Sequence, residues 1–453
     1  MKKLRIDTIL FIFILTFLGV ANALNFNKPT ISKLENRALK QRPQFSVETL
    51  FNGSYIKDYE EYYNDTFIQR DNLVKINRDL QQAMNFLGPD VSLIRSSEDL
   101  QLPDETAGGE KNQPAGEDEA PGSPGTQPPA QSTGTPPEAT PDDSTDTQKP
   151  QNFDEQNVGY WLVVDGKAVQ LFKFNKESFE YYAQVLNQFS DKLGSDVKIY
   201  SMIPPTAGEF LKLKKYKGIT DSQNDAMGFL NSRLDGKISS VNVYDALNRH
   251  KDEYIYFKTD HHWTALGAYY AYASFMETKG EQPVGLDRYE AVDLGDFLGS
   301  SYTKTLDKKL EKNPDRVTAY KPFTDNEYLM VYGDKEKKAD VIDMKYADDI
   351  NNKYLAFLSS GGATWSVIKT DVNNGKKIMV IKDSFGNAFV PFLLPHYEEI
   401  YVVDSRFYSI SATGKNIVQF VKEKGIHEVL FCIYMEDVNW NKFMNGVENL
   451  LGR

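Results

Sequence analysis

Cysteine is almost absent from this chain: Cys432 is the only one among 453 residues. A lone cysteine excludes an intramolecular disulfide, and it also excludes zinc sites built on several cysteines. An exported protein of this size without disulfides is more typical of bacteria, especially Gram-positive bacteria, than of the eukaryotic secretory route.

Clusters of positive charge are also missing. The 52 Lys and Arg residues are outnumbered by 64 Asp and Glu residues, which gives a formal net charge of -12. A nucleic-acid-binding face needs concentrated Lys and Arg to neutralise phosphates, and no such block stands beyond the first few residues. The sequence also contains no P-loop and no dinucleotide-binding fingerprint in a fitting context. Nucleic acid is therefore not an expected partner.

Apolar and aromatic residues, in contrast, are plentiful. Hydrophobic residues make up 40% of the chain, which contains 26 tyrosines and 27 phenylalanines. This is enough to fill a large packed core, so the chain as a whole is not expected to be disordered. The length fits one large domain with smaller parts, or two domains.

The N-terminus has the pattern of an export signal. Three basic residues within the first five precede the apolar run Ile9–Val20, and Ala21-Asn22-Ala23 then offers the small-x-small pattern of a signal peptidase site. The run is shorter than the roughly 20 apolar residues that a spanning helix usually needs. We interpret residues 1–24 as a signal peptide, or alternatively as an N-terminal membrane anchor. Both interpretations place the remaining chain outside the cytoplasm, at the outer face of the membrane or in the cell envelope.

Two further segments precede the main body of the chain. Residues 25–95 carry apolar side chains at helical spacing, which predicts helices that lay one face on a larger body. From 96 to 156 the composition changes to Pro, Gly, Ser, Thr, Gln and acidic residues. Such a segment has too little apolar surface to offset the entropy of ordering it. We predict a disordered linker or an extended surface insertion there.

Residues 157–453 alternate strand-like and helix-like runs and predict the main α/β domain. The predicted strands are Trp161–Val164, Val197–Ile203, Val241–Tyr244, Tyr254–Phe257, Ile378–Ile381, Ile400–Val403 and Val429–Ile433. The predicted helices are Lys176–Leu193, Ala265–Lys279, Ser384–Leu394, Lys415–Lys424 and Val438–Leu451. Repeats of this spacing imply right-handed crossovers and a mainly parallel sheet that is covered on both faces. In such sheets the functional residues gather where strands end and helices begin.

Two of the five histidines are adjacent, in Thr259-Asp-His-His-Trp-Thr264. This segment directly follows the predicted strand Tyr254–Phe257. Alternate side chains of an extended backbone share a face, so Asp260 and His262 are expected to point the same way, with His261 opposite. A carboxylate beside an imidazole fixes its tautomer and stabilises the imidazolium that forms during proton transfer. The pair therefore suits a general base that acts on a serine.

The matching serine lies in Val380-Ile-Lys-Asp-Ser-Phe-Gly-Asn387. Ser384 stands between an apolar strand and a predicted helix, where unpaired backbone N–H groups can stabilise a developing oxyanion. The alternative is a structural role, in which Asp383 or Ser384 caps the helix. An Asp-Ser pair at the start of a helix, considered alone, has this capping role more often than a catalytic one.

A metal site is a second interpretation of the histidine segment, because Asp and His are common metal ligands. The candidate ligands are Asp260, His261 and His262. Adjacent side chains rarely converge on one ion, however, and no other histidine-rich segment completes a ligand set. No metal is therefore expected.

Together the two segments resemble the DHHW family of bacterial exported proteins, which is grouped with the SGNH-like domains of the alginate O-acetylation proteins. Asp260-His-His-Trp263 is the family's namesake, and Lys382-Asp-Ser-Phe385 is similar to a Gly-Asp-Ser-Phe block of the alginate proteins, with Lys382 in place of the glycine. Further similar blocks cover nearly the whole chain outside the linker: Glu35-Asn-Arg37, Asn64-Asp-Thr-Phe-Ile-Gln-Arg70, Ile203-Pro-Pro-Thr206, Phe297-Leu-Gly-Ser-Ser301, Asn387-Ala-Phe-Val-Pro-Phe392 and Asp404-Ser-Arg406.

The resemblance implies a flavodoxin-like, SGNH-like domain with three αβα layers and a Ser–His–Asp set. By position, Ser384 is the nucleophile, His262 the base and Asp260 its orienting partner, since the wider pattern is Asp-x-His. Triads occur in several chain orders, so the position of the serine after the other two is no objection. The N–H of Ser384 is the expected first oxyanion donor. The candidates for further oxyanion stabilisation or substrate binding are Gly299, Ser300, Asn387 and Arg406.

The implied function is an extracytoplasmic O-acyltransferase, specifically an O-acetyltransferase that acts on a cell-surface or secreted polysaccharide through an acyl-serine intermediate. The resemblance also implies an integral-membrane acyl-transferring partner of the MBOAT type. No soluble cofactor is implied, because coenzyme A is not expected outside the cell. One alternative is a carbohydrate O-acetyl esterase with the same three residues, in which water resolves the acyl-enzyme. The other is a non-catalytic polysaccharide-binding or assembly subunit that keeps the fold.

Overall fold

A computed structural model describes residues 6–32, 34, 37–83, 91–95, 160–211, 218–360 and 362–452 of the chain. The predicted disordered linker at 96–156 lies outside these residues. The predicted domain boundaries, at 24, 95 and 156, therefore stay predictions.

The N-terminal part of the chain is mainly helical in the residues that the structure describes. Its elements are α1 (Ile6–Leu24), β1 (Ile31–Ser32), β2 (Arg37–Ala38), α2 (Val47–Phe51), α3 (Ser54–Asp65) and α4 (Arg70–Ala83). A capping box starts α2, in which Ser46 and Thr49 each accept the other's backbone N–H. Within the residues that the structure describes, no helix is both long and apolar enough to cross a membrane.

The remaining elements follow in chain order. The strands are β3 (Val91–Arg95), β4 (Tyr160–Val164), β5 (Lys167–Gln170), β6 (Lys198–Met202), β7 (Ile238–Ser240), β8 (Glu290–Phe297), β9 (Asp315–Lys321), β10 (Asn326–Tyr332), β11 (Lys335–Ala339), β12 (Trp365–Thr370), β13 (Lys377–Lys382), β14 (Glu399–Asp404) and β15 (Glu428–Cys432). The helices are α5 (Lys176–Leu193), α6 (Gln223–Asn231), α7 (Val243–Arg249), α8 (Ala265–Thr278), α9 (Ser300–Thr305), α10 (Lys308–Glu311), α11 (Phe385–Phe389), α12 (Ile410–Thr413), α13 (Ile417–Lys424), α14 (Met435–Asn439) and α15 (Asn441–Asn449).

The main sheet has eight strands in the order β11-β10-β12-β14-β13-β15-β6-β7. The five strands from β14 to β7 are parallel to one another. The three strands at the other edge pair antiparallel. The carboxyl ends of β13, β14, β15 and β6 therefore meet at one edge of the sheet, where ligand sites of such folds form.

Side chains of the central strands alternate between two separate apolar cores. Val380 and Leu430 pack on one face with residues of α8, such as Phe275. Met379 and Phe431 pack on the other face with residues of α5, α13 and α15. A sheet buried on both faces between helices is a three-layer αβα domain. The predicted SGNH-like fold class is thus confirmed.

Two predicted strands are wrong. Val241–Tyr244 instead contains the start of α7, because the side chain of Asn242 caps that helix. Tyr254–Phe257 makes only one isolated bridge, between Tyr256 and Trp263. The histidine segment therefore follows a loop and not a strand.

The structure also contains sheet pairings that the sequence did not predict. The strand predicted at Trp161–Val164 is present as part of β4, but it belongs to a separate antiparallel sheet with β3 and β5. Strands β8 and β9 form an antiparallel pair of their own.

The helix predicted at Ser384–Leu394 is split into α11 and a 3-10 segment at Val390–His396 that contains two prolines.

The substitution Gly267→Ala is expected to destabilise the protein, because a Cβ at this position in α8 would lie 2.3 Å from the carbonyl oxygen of Ile255. A backbone atom cannot move aside cheaply, so we expect a loss of about 1–3 kcal/mol. The matched control is Gly228→Ala in α6, where a Cβ would meet nothing within 4 Å and where helix propensity favours alanine by up to about 1 kcal/mol. Thermal unfolding monitored by circular dichroism should separate the two variants. Equal melting temperatures would contradict the close approach of α8 to Ile255.

Candidate active site

Ser384 lies two residues after the end of β13 and directly before α11. Its dihedral angles, φ -65° and ψ -21°, are ordinary right-handed values, so the turn carries no backbone strain. Its hydroxyl does not cap the helix. The carboxylate of Asp383 instead accepts the N–H of Phe385, at the start of α11, at 2.8 Å, and it also accepts the N–H of Tyr434 at 2.6 Å. The Ser384 hydroxyl is therefore left for another partner.

That partner is His262. Its Nε2 lies 2.7 Å from Ser384 Oγ, and its Nδ1 lies 2.6 Å from Asp260 Oδ1. The three residues are 4–5% exposed. The structure thus brings Asp260, His262 and Ser384 into one hydrogen-bonded line, with a base in reach of a hydroxyl and a carboxylate in reach of the base.

Asp260 lies in a setting that keeps it ionised. Burial by itself raises the pKa of Asp260, but the facing imidazole and backbone N–H of His262 lower it, and the net pKa lies well below its ordinary value. The N–H of His262 donates to Oδ1 at 2.9 Å, and the N–H of Ser300 donates to Oδ2 at 2.8 Å. A carboxylate with these donors can hold His262 in one tautomer.

The loop that carries Asp260 and His262 is held in place by a second buried carboxylate, Asp315 of β9. It accepts both the N–H and the hydroxyl of Thr259 at 2.6 Å and the hydroxyl of Tyr254 at 2.5 Å. At the other end of the loop, the Trp263 indole N–H donates to the Phe385 carbonyl at 3.0 Å. Trp263 is fully buried, so it packs beneath the site and is not available to stack on a sugar.

The expectation that His261 points away from His262 is wrong. The two rings lie 3.8 Å apart, because the segment is bent and not extended. The Nδ1 of His261 lies 2.5 Å from Ser300 Oγ. Burial, followed by the nearby His262, holds the pKa of His261 well below its ordinary value. His261 is therefore a neutral ring beside the candidate base.

Gly299 and Ser300 support Asp260 and do not face an oxyanion. The N–H of Gly299 donates to Thr259 Oγ1 at 3.2 Å, and the N–H of Ser300 is taken by Asp260. A Cβ at Gly299 would lie 2.3 Å from Asp260 Oδ2, so only glycine leaves room for the carboxylate there. The backbone N–H groups of both residues are thus engaged and leave no free donor for an oxyanion, whereas their predicted substrate-binding role stays a prediction.

Asn387 keeps its side-chain amide free for the predicted oxyanion-stabilising or substrate-binding role. It lies one turn along α11 from Ser384 and is fully buried. Neither its side-chain nitrogen nor its side-chain oxygen has a hydrogen-bond partner. The backbone N–H of Ser384 likewise donates no hydrogen bond within the described part of the chain. Buried polar groups without partners are rare and call for an explanation, and these two lie on the turn that carries Ser384.

Arg406 and Lys382 both pair with Asp404, at the carboxyl end of β14. Arg406 donates to the two carboxylate oxygens at 2.9 and 2.7 Å. The Lys382 ammonium is fully buried and lies 3.4 Å from Asp404 Oδ2. Its stem fills the space over Gly386, where a Cβ would lie 2.7 Å from Lys382 Cβ. The lysine that replaces the glycine of related blocks thus directs its charge to Asp404, and Arg406 is held by the same carboxylate.

Asp260, His261 and His262 also meet the geometric condition for a metal site, with ligand atoms within 4.8 Å of one another. Three of the four imidazole nitrogens are already engaged, however. His262 uses Nδ1 for Asp260 and Nε2 for Ser384, and His261 uses Nδ1 for Ser300. Binding an ion would break these hydrogen bonds, so the residues do not fit a metal well.

Sequence reasoning missed Tyr354. Its ring stacks on His262 with a centroid distance of 3.7 Å and an interplanar angle of 9°, and its hydroxyl donates to the Ser384 carbonyl at 3.0 Å. No sequence signal marks it, because nothing in its local pattern distinguishes it from a core tyrosine.

Comparison with known proteins identifies the family. A family model described as DHHW protein matches residues 138–403, more than half of the chain. The chain belongs to the DHHW family. Among curated proteins no match is found.

Solved structures agree with the family assignment. A DHHW family protein from Eubacterium siraeum is 30% identical with a TM-score of 0.56, over 64% of this chain and 94% of that chain. PatB1 from Bacillus cereus is 20% identical with a TM-score of 0.52, over 63% and 96% of the two chains. A PatB1 structure with a sulfonyl adduct is 18% identical with a TM-score of 0.51, over 60% of this chain and 95% of that chain. At these identities the PatB1 likeness shows the fold.

Three buried acidic residues lie just after the ends of β13 and β15. Burial raises the pKa of Asp383 to about 6 and that of Glu436 to about 8, and it raises the pKa of Asp437 well above its ordinary value. One carboxyl oxygen of Glu436 has no hydrogen-bond partner, and the charge of Lys304 compensates its burial only in part.

The titration of Glu436 predicts a stability change with pH. Its folded-state pKa is raised, so between pH 4.5 and about 8 the folded protein keeps a proton that the unfolded chain has released. The free energy of unfolding therefore falls as the pH rises through this window. Glu436→Gln removes the titration, and its melting temperature relative to wild type should be higher at pH 8 than at pH 5 by about 3 °C or more. The exposed Glu311→Gln serves as control, and a difference that is flat with pH would contradict the prediction.

Proposed function

We propose that this DHHW protein is an extracytoplasmic serine O-acyltransferase, specifically an O-acetyltransferase of a cell-surface or secreted polysaccharide. The observation that carries the proposal is the hydrogen-bonded line Asp260–His262–Ser384 at the carboxyl edge of the sheet. The resemblance of the same segments to alginate O-acetylation proteins supports the acetyl group and the polysaccharide.

In the proposed reaction, Ser384 Oγ attacks the carbonyl carbon of an acyl donor while His262 Nε2 takes the hydroxyl proton. Asp260 stabilises the resulting imidazolium through Nδ1–H. The tetrahedral oxyanion is bound by the free N–H of Ser384 and the side-chain amide of Asn387. His262 then returns the proton to the leaving group, and an acyl-serine ester remains.

The second half of the reaction transfers the acyl group. A sugar hydroxyl gives its proton to His262 and attacks the ester carbonyl, and Ser384 leaves with the proton that His262 returns. The esterase alternative differs only in that water replaces the sugar hydroxyl. The binding-subunit alternative is disfavoured, because the Lys382 ammonium is directed to Asp404 and the hydrogen bonds among the three aligned residues are intact beside it.

The sequence supports a proposal for the acyl donor and for the location of the protein. We propose that an integral-membrane partner of the MBOAT type delivers the acyl group, since coenzyme A is not expected outside the cell. Residues 1–24 then export the chain as a signal peptide or hold it at the membrane as an anchor.

Ser384→Ala should abolish covalent acylation. The purified chain is incubated with p-nitrophenyl acetate and examined by intact-mass spectrometry. Wild type should gain one acetyl group, and Ser384→Ala should gain none. Ser405→Ala is the matched control, since Ser405 is also buried and follows the neighbouring strand β14; it should acylate like wild type. EDTA should not prevent the adduct.

The same experiment separates the alternatives. Added polysaccharide that accepts the acetyl group supports transfer, whereas release of acetate alone supports the esterase. PatB1 carries a sulfonyl adduct in one structure, and a sulfonyl fluoride should likewise modify Ser384 in this chain. If wild type forms no adduct and releases no acetate, the binding-subunit function takes first place.

Gly299→Ala should slow acylation by about a hundredfold, because the added methyl group would lie 2.3 Å from Asp260 Oδ2 and 2.4 Å from Asp260 Cβ and therefore displaces the side chain that orients His262. The rate is measured from p-nitrophenol release under single-turnover conditions. Gly228→Ala, which adds the same methyl group in open space, is the control. A rate within about threefold of wild type would contradict the role given to Asp260.

A further inference from the structure

Tyr354 contacts two of the three aligned residues at once. It lies in the 3-10 turn Lys353–Ala356 and is 4% exposed. Its ring is parallel to the His262 ring within 9° at a centroid distance of 3.7 Å. Its hydroxyl donates to the backbone carbonyl of Ser384 at 3.0 Å.

The hydrogen bonds of His262 act on its two ring nitrogens. The contacts to Asp260 and Ser384 both lie along the ring nitrogens, and they set the direction of the ring within its own plane. The final side-chain torsion of histidine has a broad preference. Packing against the ring faces therefore adds a separate restraint on the tilt of the ring plane.

The stacked face of His262 is covered by Tyr354, and the His261 ring lies against it at 3.8 Å with a tilt of 39°. Tyr354 is itself confined, with Phe357 at 5.3 Å and Phe257 at 6.3 Å between ring centroids. Because the Tyr354 ring is itself confined and lies parallel to His262, it restrains the plane of the His262 ring. The His261 ring is tilted and gives no such restraint.

We propose that Tyr354 is a positioning residue of the active site, whose ring face fixes the plane of His262 and whose hydroxyl fixes the backbone at Ser384. This inference rests on the proposed function, because it gives Tyr354 a part in the serine–histidine chemistry. The two contacts use different atoms, so substitution separates them. Tyr354→Phe removes the hydroxyl alone, and Tyr354→Leu removes the stacked ring as well.

The experiment compares these variants of the full chain by two readouts. One is the far-downfield proton NMR resonance of the His262 Nδ1–H that faces Asp260, which reports the ring position without any substrate. The other is the rate of acylation by p-nitrophenyl acetate. The matched control is Tyr328→Leu, since the Tyr328 hydroxyl also donates to a buried backbone carbonyl, that of Leu358 at 3.1 Å.

Tyr354→Phe should keep the resonance and lower the acylation rate about threefold to tenfold, the usual effect of one lost hydrogen bond. Tyr354→Leu should broaden or lose the resonance and lower the rate by about a hundredfold, mostly in kcat. Tyr328→Leu should keep the resonance and the wild-type rate within about threefold.

Three results would overturn the inference: a Tyr354→Leu variant that keeps the resonance, a Tyr328→Leu variant that loses it equally, or a wild type in which it is absent. Failure of the proposed function looks different. In that case wild type forms no acyl-serine, while the resonance still responds to Tyr354→Leu and not to Tyr328→Leu.

Discussion

Asp260 is a carboxylate with 4% exposure, and an ionised group in such a place is stable only when donors surround it. Three donors do so: the imidazole of His262, the N–H of the same residue and the N–H of Ser300. The rest of the site is arranged around this requirement. Gly299 has no side chain because one would enter the space of the carboxylate, and Thr259 ties the loop of Gly299 to Asp315.

The parallel strands supply the second half of the site. Because β13, β14 and β15 end at one edge of the sheet, the residues after them become neighbours. Asp383 joins the ends of β13 and β15 through Tyr434, and Lys382 joins β13 to β14 through Asp404. Ser384 is therefore carried by three cross-linked strand ends, and the short helix α11 does not have to hold it alone. Covalent catalysis requires a nucleophile in a fixed position relative to its base, and these cross-links hold Ser384 in such a position.

Several groups near this edge are kept in settings that cost stability. Asn387 is buried with an unused amide, and Glu436 and Asp437 are buried acids with raised pKa values. Folded proteins tolerate such costs mainly at functional sites. The unused amide of Asn387 and the free N–H of Ser384 lie on the same first turn, which is where the proposed reaction develops negative charge.

The sequence by itself determined the features that depend on near neighbours along the chain. Periodicity predicted the bounds of α5 and the buried strands β13–β15. The spacing of two residues predicted the pairing of Asp260 with His262, because it brings the two side chains close in a bend as well as in a strand. Only the tertiary structure decided which distant groups meet them. Tyr354 on His262, the N–H of Ser300 on Asp260, Lys382 on Asp404 and the antiparallel pairing of β12 with β10 and β14 join segments far apart in sequence. Such contacts leave no local pattern, because they are selected by how the layers pack and not by the conformational preference of any short segment.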